Sequence, residues 1–104
     1  MNKKELKERL WDAVDDYEEL LRYIGTTLYE HPETGKNEYK AAAELKNILS
    51  RQGFTVTNPV EDQFPTAFEA VKGTGAVHIG FLAEYDALPE LGHACGHNLI
   101  AAMS

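Results

Sequence analysis

Residues 75–90 read GAVHIGFLAEYDALPE. They open with a nearly unbroken apolar run, Ala76 to Ala83, and then turn abruptly acidic at Glu84, Asp86 and Glu90. A run of that length, with KGTG before it and Pro89 after it, predicts a buried central strand. The KGTG turn predicts that the strand pairs as a hairpin between residues 66–71 and 76–84. In open α/β sheets, ligands gather beyond the carboxyl ends of strands, so the acidic cluster falls where a site would be. Carboxylates there can hold a metal, orient a ligand histidine or exchange protons. The same three residues also fit a solvated turn closed by Pro89.

Upstream of this run the periodicity is helical. Leu6, Leu10, Val14, Tyr17, Leu21, Ile24 and Leu28 recur in steps of four and three, which predicts one long helix over residues 3–30. Asn2 and Glu5 have the spacing of a capping pair. The stretch EHPETGKN should end that helix, with His31 assisting. A second helix fits residues 37–51, with Ala42, Leu45, Ile48 and Leu49 inward and Gly53 as its stop. FTVTNPV (54–60) and TAFEAVKG (66–73) alternate like strands. Downstream, GHNLIAAMS (96–104) has the character of a helix start without a stop signal. The predicted class is therefore α/β: two N-terminal helices, then a small mixed β-sheet. The open ending predicts that residues 1–104 are the N-terminal segment of a longer domain.

Composition narrows the function. The 104 residues suffice for one small domain, and their formal charge of −7 argues against a nucleic-acid or anionic-membrane surface. No apolar run approaches the roughly 20 residues needed to cross a bilayer. One cysteine cannot form an internal disulfide, which fits a reducing cytoplasm and leaves Cys95 free for chemistry.

That cysteine sits in LGHACGHNLI, residues 91–100. In extended backbone, His93, Cys95 and His97 would face one point, and thiolate with imidazole suits zinc and similar ions. If a helix began at His93 instead, only His93 and His97 would share a face. A buried small cysteine beside two incidental histidines is the alternative. His78, inside the apolar run, reads as a packed histidine rather than a ligand.

The stretch FLAEYDALPELGHACGHNLIAA resembles the metal-binding region of the M20 family of metallopeptidases and amidohydrolases, in the branch of aminobenzoyl-glutamate hydrolases, N-acyl-amino-acid amidohydrolases and dipeptidases. LYEHPETGKNEYKAAAELKNILSRQGF resembles the same family, so the likeness covers nearly the whole chain. It implies the beginning of a three-layer, zinc-peptidase-like catalytic domain with two divalent metals, zinc first and manganese second. It implies that Cys95 and His97 are metal ligands, and that Asp86 has a supporting catalytic role in orienting ligands. Glu84 stands where many relatives have a ligand histidine, and the role of His93 is open. The implied substrates are dipeptides or N-acyl amino acids, and the implied assembly is a homo-oligomer. The family's general-base glutamate and its remaining ligands lie downstream, so the segment alone is expected to be inactive. The competing expectation is a small non-enzymatic α/β domain with a structural or incidental Cys-x-His site.

Overall fold

The computed structural model describes all of residues 1–104. Four helices and one small sheet follow in the order α1 (Lys3–Asp16), α2 (Glu18–Glu30), α3 (Tyr39–Arg51), β1 (Thr55–Thr57), β2 (Glu69–Val71) and α4 (His97–Met103). The class is mixed α/β, as expected, but the detail differs in three places.

The first difference is in the N-terminal helix. Asn2 caps it as predicted: its side chain accepts from the Glu5 amide at 2.9 Å, and Glu5 Oε2 accepts from the Asn2 amide at 3.1 Å. The helix nevertheless breaks at Tyr17, whose amide reaches back only to the Val14 carbonyl at 3.1 Å. Asp15 and Asp16 oppose the negative end of the α1 dipole, with no basic residue in that turn, while Glu18 and Glu19 favour the positive end of α2. A break between the two acidic pairs relieves the first and rewards the second. The stripe splits with it: Ile24 and Leu28 are buried, whereas Leu6, Leu10 and Val14 on α1 are exposed.

The second difference is the run Ala76–Ala83. It is neither a strand nor buried: Val77 is 83% exposed, Ile79 79%, Phe81 76% and Leu82 94%. An apolar run becomes a central strand only where other strands flank it, and the two three-residue strands of this chain pair with each other instead. The third difference is the sheet itself. It is antiparallel and two-stranded rather than mixed, with Thr55 opposite Val71, Val56 opposite Ala70 and Thr57 opposite Glu69. No three-layer arrangement is seen. The segments 54–60 and 66–73 do each contribute a strand, but to one another rather than to the 76–84 run. Lys72 ties the base of this hairpin to the end of α3, donating to the Gln52 carbonyl at 2.8 Å.

The core is small. Ile24 and Leu28 of α2 meet Ala41 and Leu45 of α3, with Leu20, Ile48, Phe68, Tyr85, Ala101 and Ala102 packed around them. Gly53, at φ 90°, ends α3 where predicted. His31 closes α2, its Nδ1 lying 3.1 Å from the Thr27 carbonyl. α4 docks on α2 through Asn98, whose buried amide donates to the Gly25 carbonyl at 3.0 Å. A Cβ at Gly25 would meet Leu99 Cδ2 at 3.7 Å, an ordinary van der Waals contact, so α4 packs on this face without needing a glycine there. No helix is long and apolar enough to cross a membrane.

Candidate metal centre

Two loops carry the chemistry, and both are pinned to the helices. The turn after α2, residues 31–38, is held by Glu33. Its carboxylate accepts from the amides of Lys40 at 3.0 Å and Ala41 at 2.7 Å, so it caps α3 from five residues before the helix's own N-cap position. Its carbonyl accepts from the Ala87 amide at 2.7 Å, and Thr34 and Ala87 form a parallel bridge. The segment 84–87 is therefore stitched to the start of α3. Beyond it, Leu88 and Gly92 exchange two backbone hydrogen bonds at 2.9 and 3.1 Å, closing a tight loop. Gly96, at φ 84°, then turns the chain into α4.

These two anchors place His97, the first residue of α4, against the acidic segment. His97 Nδ1 lies 2.7 Å from Asp86 Oδ1 and 3.1 Å from the Asp86 carbonyl. Both partners only accept, so Nδ1 carries the proton and donates it. The other ring nitrogen, Nε2, lies 3.4 Å from Glu84 Oε2. In a neutral ring that nitrogen presents a lone pair to a carboxylate oxygen. Two electron-rich atoms so placed repel unless a proton or a metal ion stands with them. The ring is about three-quarters buried, while Glu84 and Asp86 reach solvent.

The other sequence-predicted residues fall as follows. Cys95 is free and exposed. His93 is buried, 7% exposed, and its Nδ1 has no partner. Burial holds its imidazole below the usual histidine range; the nearby His97 adds to this, and Asp86 and the Leu28 backbone oppose it. His93 and Cys95 thus occupy different environments, and the extended alternation that would aim His93, Cys95 and His97 at one point is not adopted. No three histidine, cysteine, aspartate or glutamate side chains converge as a metal-holding group. What the structure does show is two separate contacts on one ring, Asp86 at Nδ1 and Glu84 at Nε2 of His97.

Sequence reasoning passed over the support beneath this group. Glu38, 8% exposed, accepts from the Thr66 hydroxyl through Oε2 at 2.8 Å. The Tyr85 hydroxyl donates to the Thr66 carbonyl. Burial, aided by the charge of Glu38, pushes the Tyr85 phenol up to about 12. The HPE turn was a visible signal for Glu33; nothing local marked Glu38 or Thr66.

No family model matches the chain. It is 38% identical over 105 residues to an Xaa-Arg dipeptidase of Mus musculus and 37% identical over 108 residues to the Xaa-Arg dipeptidase of Homo sapiens, each alignment covering 92% of this chain. It is 36% identical over 106 residues to one of the subunits of the p-aminobenzoyl-glutamate hydrolase of Escherichia coli (strain K12), covering 86% of this chain. Those alignments cover 24%, 25% and 22% of the respective relatives, so the chain spans about a quarter of their length.

Proposed function

We propose that this chain, homologous over most of its length to hydrolases of the M20 metallopeptidase and amidohydrolase family, supplies part of the metal-binding catalytic domain of an enzyme that cleaves the amide bond of dipeptides or N-acyl amino acids. The observation that carries the reading is the His97 ring, fixed by Asp86 at Nδ1 and facing Glu84 with Nε2. A carboxylate that holds one ring nitrogen and frees the other is how ligand histidines are oriented for a metal.

In this reading Cys95 and His97 are the ligands, and Asp86 orients His97 and makes its free nitrogen a better donor. Sulfur and imidazole nitrogen favour zinc, with manganese second. A bound divalent ion would polarise the scissile carbonyl and make a water acidic near neutral pH. The residues of this chain contribute the ring orientation, the local negative charge of Glu84 and Asp86, and a thiol open to solvent. The parent is read as a cytoplasmic homo-oligomer, and the 104 residues alone as inactive. Homology to named hydrolases disfavours a non-enzymatic domain with an incidental Cys-x-His site.

Cobalt(II) titration tests the ligand set, because a thiolate ligand produces an intense near-ultraviolet charge-transfer band. The band should vanish in Cys95→Ser, and His97→Ala should weaken zinc in chelator competition. Equal bands and equal affinities in all three proteins would refute the assignment.

A further inference from the structure

Three segments far apart in sequence meet beneath the His97–Asp86 pair. Glu38 precedes α3, Thr66 precedes β2, and Tyr85 lies between Glu84 and Asp86. Thr66 is 3% exposed and is held from both sides: its hydroxyl donates to Glu38 Oε2, and its carbonyl accepts from the Tyr85 hydroxyl. The Tyr85 ring is fixed further by stacking on Phe68, with centroids 5.9 Å apart. Fixing the Tyr85 side chain fixes the backbone on which its two neighbours, Glu84 and Asp86, are mounted. The other Glu38 oxygen, Oε1, is buried without a partner, and leaving such a group unpaired is costly. It lies by Gly35: a methyl group there would stand 3.9 Å from Glu38 Oε1 and 3.7 Å from Asp86 Oδ2. A core needing only packed volume at this point would be better served by an apolar side chain.

We propose that Glu38 is a positioning residue, which acts through Thr66 and Tyr85 to set where Glu84 and Asp86 meet His97. The metal-affinity arm of the test rests on the function proposed above; the ring-orientation arm does not. Glu38 touches neither substrate nor metal in this scheme. Its work is to accept the hydrogen bond of the Thr66 hydroxyl, so any side chain of the same shape with an acceptor oxygen should serve.

The test uses the metal-free chain and its zinc complex. Nitrogen-15 NMR of the metal-free chain reads which nitrogen of His97 carries the proton, and chelator competition reads zinc affinity. Circular dichroism checks that each variant is folded. In Glu38→Ala, Thr66→Val and Tyr85→Phe, the His97 Nδ1–H population should fall, and zinc binding should weaken on the order of 10-fold, the scale found when groups behind metal ligands are removed. Glu38→Gln should restore both, since its amide oxygen accepts from Thr66. Folded Glu38→Ala, Thr66→Val and Tyr85→Phe with unchanged His97 and unchanged affinity would overturn the proposal. So would a Glu38→Gln variant as impaired as Glu38→Ala, since the group would then act by charge. If Glu38→Ala does not fold, Thr66→Val and Tyr85→Phe decide by the same readouts. A parent chain that binds no zinc, but whose His97 tautomer responds to these variants, would refute the metal reading and sustain the positioning role.

Discussion

Removing the Glu33 carboxylate tests how the acidic segment is anchored. In Glu33→Ala, the amides of Lys40 and Ala41 lose their acceptor. The Lys40 amide lies in an exposed bond, so water replaces most of what it loses. The bond to Ala41 is partly buried, and Ala41 itself is 3% exposed, so water serves that amide poorly. A hydrogen bond to a charged group contributes about 1.5–3 kcal/mol, and a helix N-cap about 1 kcal/mol. Counting Ala41 near the low end of the first range and Lys40 as a few tenths gives a loss of roughly 2 kcal/mol. For a domain of this size that lowers Tm by roughly 8–16 °C. Glu33→Gln keeps one acceptor oxygen and should lose about half as much. Thermal melts and urea titrations at 222 nm, fitted to two states, measure both variants. The Glu33 carbonyl still receives the Ala87 amide in either variant, so the loss should be one of stability rather than of architecture. A Glu33→Ala protein within 0.5 kcal/mol of the parent would refute the capping role.

Two further outcomes are expected. Tyr85 should ionise last of the five tyrosines in an alkaline titration at 295 nm, near pH 12, and Tyr85→Phe should remove that final step. A phenol pKa raised by folding contributes stability that is complete below about pH 10 and lost as pH rises through 12; a final step near pH 10 would contradict the burial. The exposed Val77, Ile79, Phe81 and Leu82 should make the chain associate weakly with itself. Sedimentation coefficients should rise with concentration, and Phe81→Lys with Leu82→Lys should suppress the rise; an unchanging monomer in the parent would refute it.

The features legible in the sequence were those decided within a few residues. Asn2 with Glu5 announced the start of α1, Gly53 the end of α3 and His31 the end of α2, because caps and stops are local hydrogen-bonding problems. For Asp86 the family resemblance implied only that it orients ligands; its partner, the His97 ring, is visible only in the fold. Ala76–Ala83 failed as a buried strand because burial is a property of what lies opposite, and no periodicity within the run reveals that. The α1 stripe failed for the same reason: Leu6, Leu10 and Val14 have the spacing of a buried face and no neighbour to bury them. Glu38 and Thr66 escaped notice because their bond joins residues 28 apart. A glutamate ahead of a helix is ordinarily solvated, so only the folded chain shows it buried.

The bridge between Thr34 and Ala87 bears on the order of folding events. α2 and α3 lie on either side of a short turn and can find each other with little loss of chain freedom. Ala87 reaches Glu33 only after all of α3 and the hairpin have been enclosed in one large loop, whose closure entropy grows with its length. Contacts of that separation form late in small domains. His97 meets Asp86 on the far side of the same closure. The helical pair should therefore assemble first, and the loops that carry Asp86 and His97 should be the last part of the chain to become ordered and the first to come undone.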